Sequence, residues 1–180
     1  MIQSFKSLFI HFIFLVFSLT LLMGCSHYLI PTPQVVNTNR ITEFTIDSNI
    51  ELINLQSENT KIFEIKTTYK TYKGTLAEWT EKAIELLSDE LTKRGGSINE
   101  NDPKILKLAV TEYKRVVGMS RISFNLKLHL EMGNGYKADY YAENKNAPIK
   151  SSGERGFGGA ITLAITDMLN DKEFVSYLKE

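Results

Sequence analysis

The chain has 180 residues, balances 21 Lys and Arg against 21 Asp and Glu, and is 43% hydrophobic and 23% charged, the composition of an ordinary globular protein. Balanced charge excludes nucleic acid as the main partner, because such binding rests on clustered positive charge. The single cysteine, Cys25, excludes an intramolecular disulfide and a Cys-based metal site.

Residues 1–7 carry one positive charge, Lys6, and an apolar run over 8–23 follows, broken only by His11, Ser18 and Thr20. A short basic start, an apolar stretch and a small residue before the cut describe a secretory signal. The run is about 16 residues against roughly 20 needed to span a bilayer, which argues against an uncleaved transmembrane anchor. Without the signal, the mature part loses Lys6 and carries a formal charge near −1. Residues 27–39, with Pro31 and Pro33 and no repeating apolar pattern, read as a flexible tether, so that 25–40 is anchor and spacer and 41–180 one domain.

Within that domain, short strands are expected at 41–46 and 50–55, and a longer one over 62–72, rich in β-branched and aromatic residues. Thr75 and Glu78 match a capping box. Leu76, Trp79, Ala83, Leu86, Leu87 and Leu91 follow at helical spacing before Gly95-Gly96, which predicts a helix over 75–94. Residues 105–113 read as a central strand. The clearest strand is 121–132, where Ile122, Phe124, Leu126, Leu128, Leu130 and Met132 alternate with polar residues, giving one dry and one wet face. Gly133-Asn134-Gly135 makes a turn, and Tyr136, Ala138, Tyr140 and Ala142 continue the alternation on a return strand. Residues 148–159, with four glycines, read as a loop, followed by a helix starting at Phe157 or Ala160 and ending at Asn170; Asp171 caps a short last helix. This order predicts an α+β fold: a mainly antiparallel sheet with two main helices on one face and a short C-terminal helix.

Leu22-Met23-Gly24-Cys25 resembles the bacterial lipobox. The resemblance implies cleavage after Gly24, a diacylglycerol group on the Cys25 sulfur and an acyl chain such as palmitate on the new amine. Met23 departs from the usual Ala, Ser or Thr. Ser26 resembles the outer-membrane class of the sorting rule, which implies an outer-membrane lipoprotein facing the periplasm. Leu91, Arg94 and Gly95 at a helix end, the alternating strands, and a helix closed by Asn170-Asp171 before an aromatic tail resemble the YajG family of uncharacterised lipoproteins. More loosely, the chain is similar to envelope lipoproteins with a TolB N-terminal-like α+β fold. The resemblance implies a fold and an address rather than an activity.

No catalytic constellation emerges. His11 leaves with the signal, His27 sits in the tether, and His129 stands on the wet strand face beside Lys127 and Glu131, without the neighbours that a metal ligand or a base requires. Gly153-Glu154-Arg155-Gly156-Phe157-Gly158-Gly159 opens a helix and fits neither the dinucleotide nor the P-loop spacing. It reads either as close backbone packing or as an anion-binding loop that uses Arg155 and the amides around Gly158. Lys66, Lys70 and Tyr72 would share one strand face, either a solvated edge-protecting face or a surface that stacks sugars. The expectation is a non-enzymatic envelope accessory protein without a cofactor, held to the membrane by its lipid and binding another envelope protein. The alternative is a small-molecule or glycan binder.

Overall fold

The computed structural model describes residues 26–67, 70–99, 104–119, 121–147 and 153–180. The chain divides into two compact units, one holding 26–28 with 64–73, the other 29–63 with 74–180.

The smaller unit centres on a three-stranded sheet of order β1-β4-β3, formed by β1 (Ser26–Tyr28), β3 (Ile62–Lys66) and β4 (Thr71–Thr75). β1 lies parallel to β4, with His27 opposite Tyr72. The single strand expected over 62–72 is therefore two strands. The Thr67 hydroxyl accepts from the Lys70 N–H at 3.0 Å and donates to its carbonyl at 2.8 Å, and this local pairing bends the chain despite its high β propensity.

The larger unit is built on a five-stranded sheet of order β5-β2-β6-β7-β8. Its strands are β2 (Asn49–Asn54), β5 (Ser97–Ile98), β6 (Lys104–Val117), β7 (Ile122–Met132) and β8 (Lys137–Ala147). β2 runs parallel to β5 and β6, whereas β6, β7 and β8 form an antiparallel meander. β7 alternates buried and half-buried without a break, as its period of two requires. The fold is α+β, and among the described residues three α-helices accompany the strands: α1 (Leu76–Lys93), α2 (Gly153–Leu169) and α3 (Lys172–Lys179).

α1 is set by its cap. The Thr75 hydroxyl accepts from the Glu78 N–H at 3.2 Å and donates to the Glu78 carboxylate at 2.7 Å, satisfying one of the free donors at a helix start. The helix buries Trp79, Ala83, Ile84, Leu87 and Leu91 over β2 and β6. Thr80, fully buried, accepts from the Val110 N–H at 2.9 Å, a donor that β2, ending at Asn54, has left without a ladder partner. α2 lies over β7 and β8 and buries Phe157, Ala160, Ile161, Ala164, Ile165 and Met168. Trp79, Tyr113, Phe124 and Phe157 meet in an aromatic cluster, with Phe157 4.5 Å from Trp79 and 4.9 Å from Phe124.

Three further expectations are corrected. Residues 41–46 form no strand: Ile41, Phe44 and Ile46 are buried, but the backbone bonds outside the sheet, Ile46 N–H to the Arg94 carbonyl and Thr42 N–H to the Asn170 side chain. The glycine segment is not a loop before a helix; α2 begins at Gly153 and contains all four glycines. The stretch 25–40 is not a free tether from Leu29 onward. Leu29, Pro31 and Val36 are buried, Thr32 N–H bonds the Glu154 carbonyl, and Gln34 N–H bonds the Thr162 hydroxyl.

Candidate functional site

The dry face of β6, β7 and β8 is filled by the helices; the other face is left to the odd-numbered side chains of β7 and β8, which are half-buried or exposed. The register stacks them in rows. Lys107, Glu131 and Lys137 stand side by side, then Ala109, His129 and Asp139, then Glu112, Lys127 and Tyr141, then Lys114, Asn125 and Glu143. A register shift between Val110 and Glu112 brings Glu112, rather than Thr111, opposite Lys127, the re-aiming that a bulge produces.

Opposite charges alternate across these rows. Lys137 pairs with Glu131 at 2.6 Å, His129 Nδ1 lies 2.6 Å from Asp139 and Nε2 3.4 Å from Glu131, and Lys127 pairs with Glu112 and lies 3.9 Å from Asp139. The hydrogen bond to Glu112 holds the Lys127 ammonium above its ordinary value, and bonds from Lys137 and His129 hold the Glu131 carboxyl below its own. Lys127 Nζ also stands 5.4 Å from the centre of the Tyr141 ring, within cation–π reach. Tyr141 is 66% exposed, although it is a large aromatic in mid-strand.

A groove of about 790 Å³ opens here, lined by Glu112, Lys114, Asn125, Lys127, Tyr141 and Glu143 among others. Asn125 Oδ1 is buried within its wall and has no hydrogen-bond partner, an acceptor that a ligand hydroxyl or amide would satisfy. A second groove, of about 740 Å³, runs past Phe44, Glu90 and Lys93. Its cations are engaged: Arg94 and Lys179 lie 5.2 and 6.0 Å from the Phe44 ring centre, and Lys93 and Arg94 both bond the buried Glu90. Burial raises the Glu90 pKa, but those two partners outweigh it and keep the carboxyl below its ordinary value. Among the described residues no three His, Cys, Asp or Glu side chains gather as a metal site.

The residues expected from sequence fall elsewhere. Leu22, Met23, Gly24 and Cys25 lie outside the described residues. Gly158 is buried, and a Cβ there would lie 2.0 Å from the Thr32 carbonyl oxygen, so its backbone packs closely against residue 32. Arg155 is exposed on the first turn of α2. Lys66, 3.8 Å from Glu64, and Tyr72, 6.3 Å from the His27 ring, are on different strands, and Lys70 is in the turn between them. Lys66, Lys70 and Tyr72 therefore do not lie along one strand. The wet face around Lys127, His129 and Glu131 was legible in the alternation. The groove was not, because it depends on the bulge and on the β8 register that sets Tyr141 beside Lys127.

No family model matches the chain, and no curated protein does either. Among solved structures, it is similar to a Xanthomonas campestris protein of the DUF330 family. The TM-score is 0.47 at 10% identity, covering 86% of this chain and 94% of that one. A second is PelC from Paraburkholderia phytofirmans, solved as a dodecamer, with a TM-score of 0.34 at 14% identity, covering 77% of this chain and 92% of that one.

Proposed function

We propose that the chain is a lipid-anchored envelope lipoprotein, facing the periplasm from the outer membrane, whose open sheet face docks another envelope protein without performing chemistry. The observation that carries the docking is the open face of β6–β8, with alternating charges around the exposed Tyr141. Exposed aromatics with a charged rim recur at protein interfaces. The anchor rests on the resemblance of Leu22-Met23-Gly24-Cys25 to a lipobox, since two or more acyl chains hold firmly where one does not. Membership of a YajG-like family is part of the same reading.

Photocrosslinking in intact cells tests the docking. A probe at Tyr141 captures one envelope protein, and the same probe at Lys172, exposed on α3, does not. Equal capture from both positions, or capture of glycan alone, would sink the reading. The anchor is tested separately: Cys25→Ala leaves a slower-migrating precursor that no longer incorporates labelled palmitate. The partnerless Asn125 carbonyl beside Tyr141 supports a second reading, a glycan stacked on the tyrosine with a hydroxyl bonded to Asn125. Under that reading, envelope saccharides quench Tyr141 in the parent and not in an Asn125→Leu variant.

A further inference from the structure

The turn joining β6 to β7 carries an apolar tip. Val116 is 40% exposed, Val117 60% and Met119 fully exposed, a run that a soluble surface does not ordinarily present. Lys114 and Arg115 flank it, with no acidic residue along the chain from Tyr113 to Leu130, and Glu143, in the same row as Lys114, is paired with Lys145. The nearest carboxylate before it, Glu112, is paired with Lys127. An apolar point ringed by cations matches an anionic lipid surface, where the aliphatic groups enter the interface and the cations meet headgroups.

We propose that the β6–β7 tip inserts Val117 and Met119 into an anionic bilayer surface, with Lys114 and Arg115 on phospholipid phosphates. The inference rests on the lipid-anchor reading and adds a second contact that fixes how the domain faces the membrane.

The test uses the full-length acylated lipoprotein carrying Met119→Cys. With Cys25 consumed by lipid, that thiol alone takes an environment-sensitive fluorophore. The protein is reconstituted in mixed phosphatidylethanolamine and phosphatidylglycerol vesicles that contain chain-borne quenchers. Asn134→Cys, in the turn at the far end of β7, is the control. Several-fold stronger quenching at 119 than at 134 is expected, and it falls toward the control when Lys114→Glu and Arg115→Glu are added. Acylated protein with equal, weak quenching at both positions overturns the proposal and leaves the anchor standing. Protein whose mass shows no acyl chains on Cys25 overturns the anchor, a result read by mass spectrometry before any quenching is measured. Crosslinking from 119 to a protein instead of lipid in cells also overturns the proposal.

Discussion

Gly156, Gly158 and Gly159 lie within one turn of α2, yet the space beside each differs. A Cβ at Gly156 would meet the Phe124 ring at 2.3 Å; one at Gly158 would meet the Thr32 carbonyl oxygen at 2.0 Å; one at Gly159 would first meet the side-chain amide of Asn144, at 2.3 Å. Alanine improves helix propensity by about 1 kcal/mol at any of them. At Gly158 the obstacle is backbone already bonded to the helix through Thr32 N–H and the Glu154 carbonyl, so it cannot rotate away. Gly158→Ala should therefore destabilise by a net 1–3 kcal/mol or so, the ordinary cost of overpacking, with a fall in melting temperature of about 2–4 °C per kcal/mol. Gly159→Ala displaces an amide that bonds the Gly156 carbonyl at 2.9 Å; losing that bond, about 1 kcal/mol, offsets the propensity gain, so its melting temperature should stay within error of the parent. The glycines were visible in the sequence and their meaning was not. Propensity argues against starting a helix in Gly-Glu-Arg-Gly-Phe-Gly-Gly, and the partner that overrides propensity is Thr32, more than a hundred residues away.

Elements whose determinants are local were the readable ones. The Thr75 cap, the α1 apolar stripe and the β7 alternation each lie within one segment, and each formed as expected. Residues 41–46 failed because burial of Ile41, Phe44 and Ile46 does not tell a strand from an irregular segment; the backbone partners that decide, Arg94 and Asn170, belong to distant helices. Between α2 and α3, Asp171 shows both kinds of information. Its role as cap was legible: Oδ1 accepts from the N–H groups of Glu173 at 2.9 Å and Phe174 at 3.4 Å. Its second role was not, because Oδ2 accepts from Tyr136 at 2.9 Å and Tyr140 at 2.7 Å, a meeting of α3 with β8 that only the fold produces. Burial pushes the Asp171 carboxyl up, but the bonds from both tyrosines and the two backbone donors outweigh it and hold the pKa below the ordinary 3.8. The same burial, with Asp171 beside it, pushes the Tyr140 phenol far above its usual value. A depressed folded-state value means that the unfolded chain takes up the proton first as pH falls. The stabilisation is thus complete above about pH 5 and is lost as pH drops through the folded value, below about 4. Asp171→Asn should be less stable at pH 7 by about 1–2 kcal/mol. Its unfolding free energy should also change less than the parent's between about pH 4 and pH 2 in urea titrations. An equal acid dependence in the two proteins would remove Asp171 from this role.

For the larger unit as a whole, the segment 29–41 does what no single element does: it ties the aromatic cluster at one end of α2 to the helix joint at the other. Leu29 bonds Trp79, Thr32 bonds Glu154, Gln34 bonds Thr162, and the Arg40 carbonyl accepts from the Asn170 side chain at 2.8 Å. Val36, 2% exposed, is the buried pin at its middle. A free spacer in these positions would be cut readily by trypsin after Arg40, which is solvent-exposed in a 3-10 turn over Thr38–Arg40. Exposure of a side chain is not enough for cleavage, because a protease needs several residues of backbone released from the fold, and the rate follows the free energy of that local opening. The parent should therefore resist trypsin at Arg40. Val36→Asp buries an unpaired charge and should release the segment without unfolding β6–β8, raising cleavage at Arg40 by an order of magnitude or more, on the scale of a ~2 kcal/mol loss in local stability. Mass spectrometry of the first fragments decides the matter. Rapid cutting of the parent at Arg40 would return 29–40 to the status of a tether. Protection that Val36→Asp abolishes would make the segment an integral part of the domain.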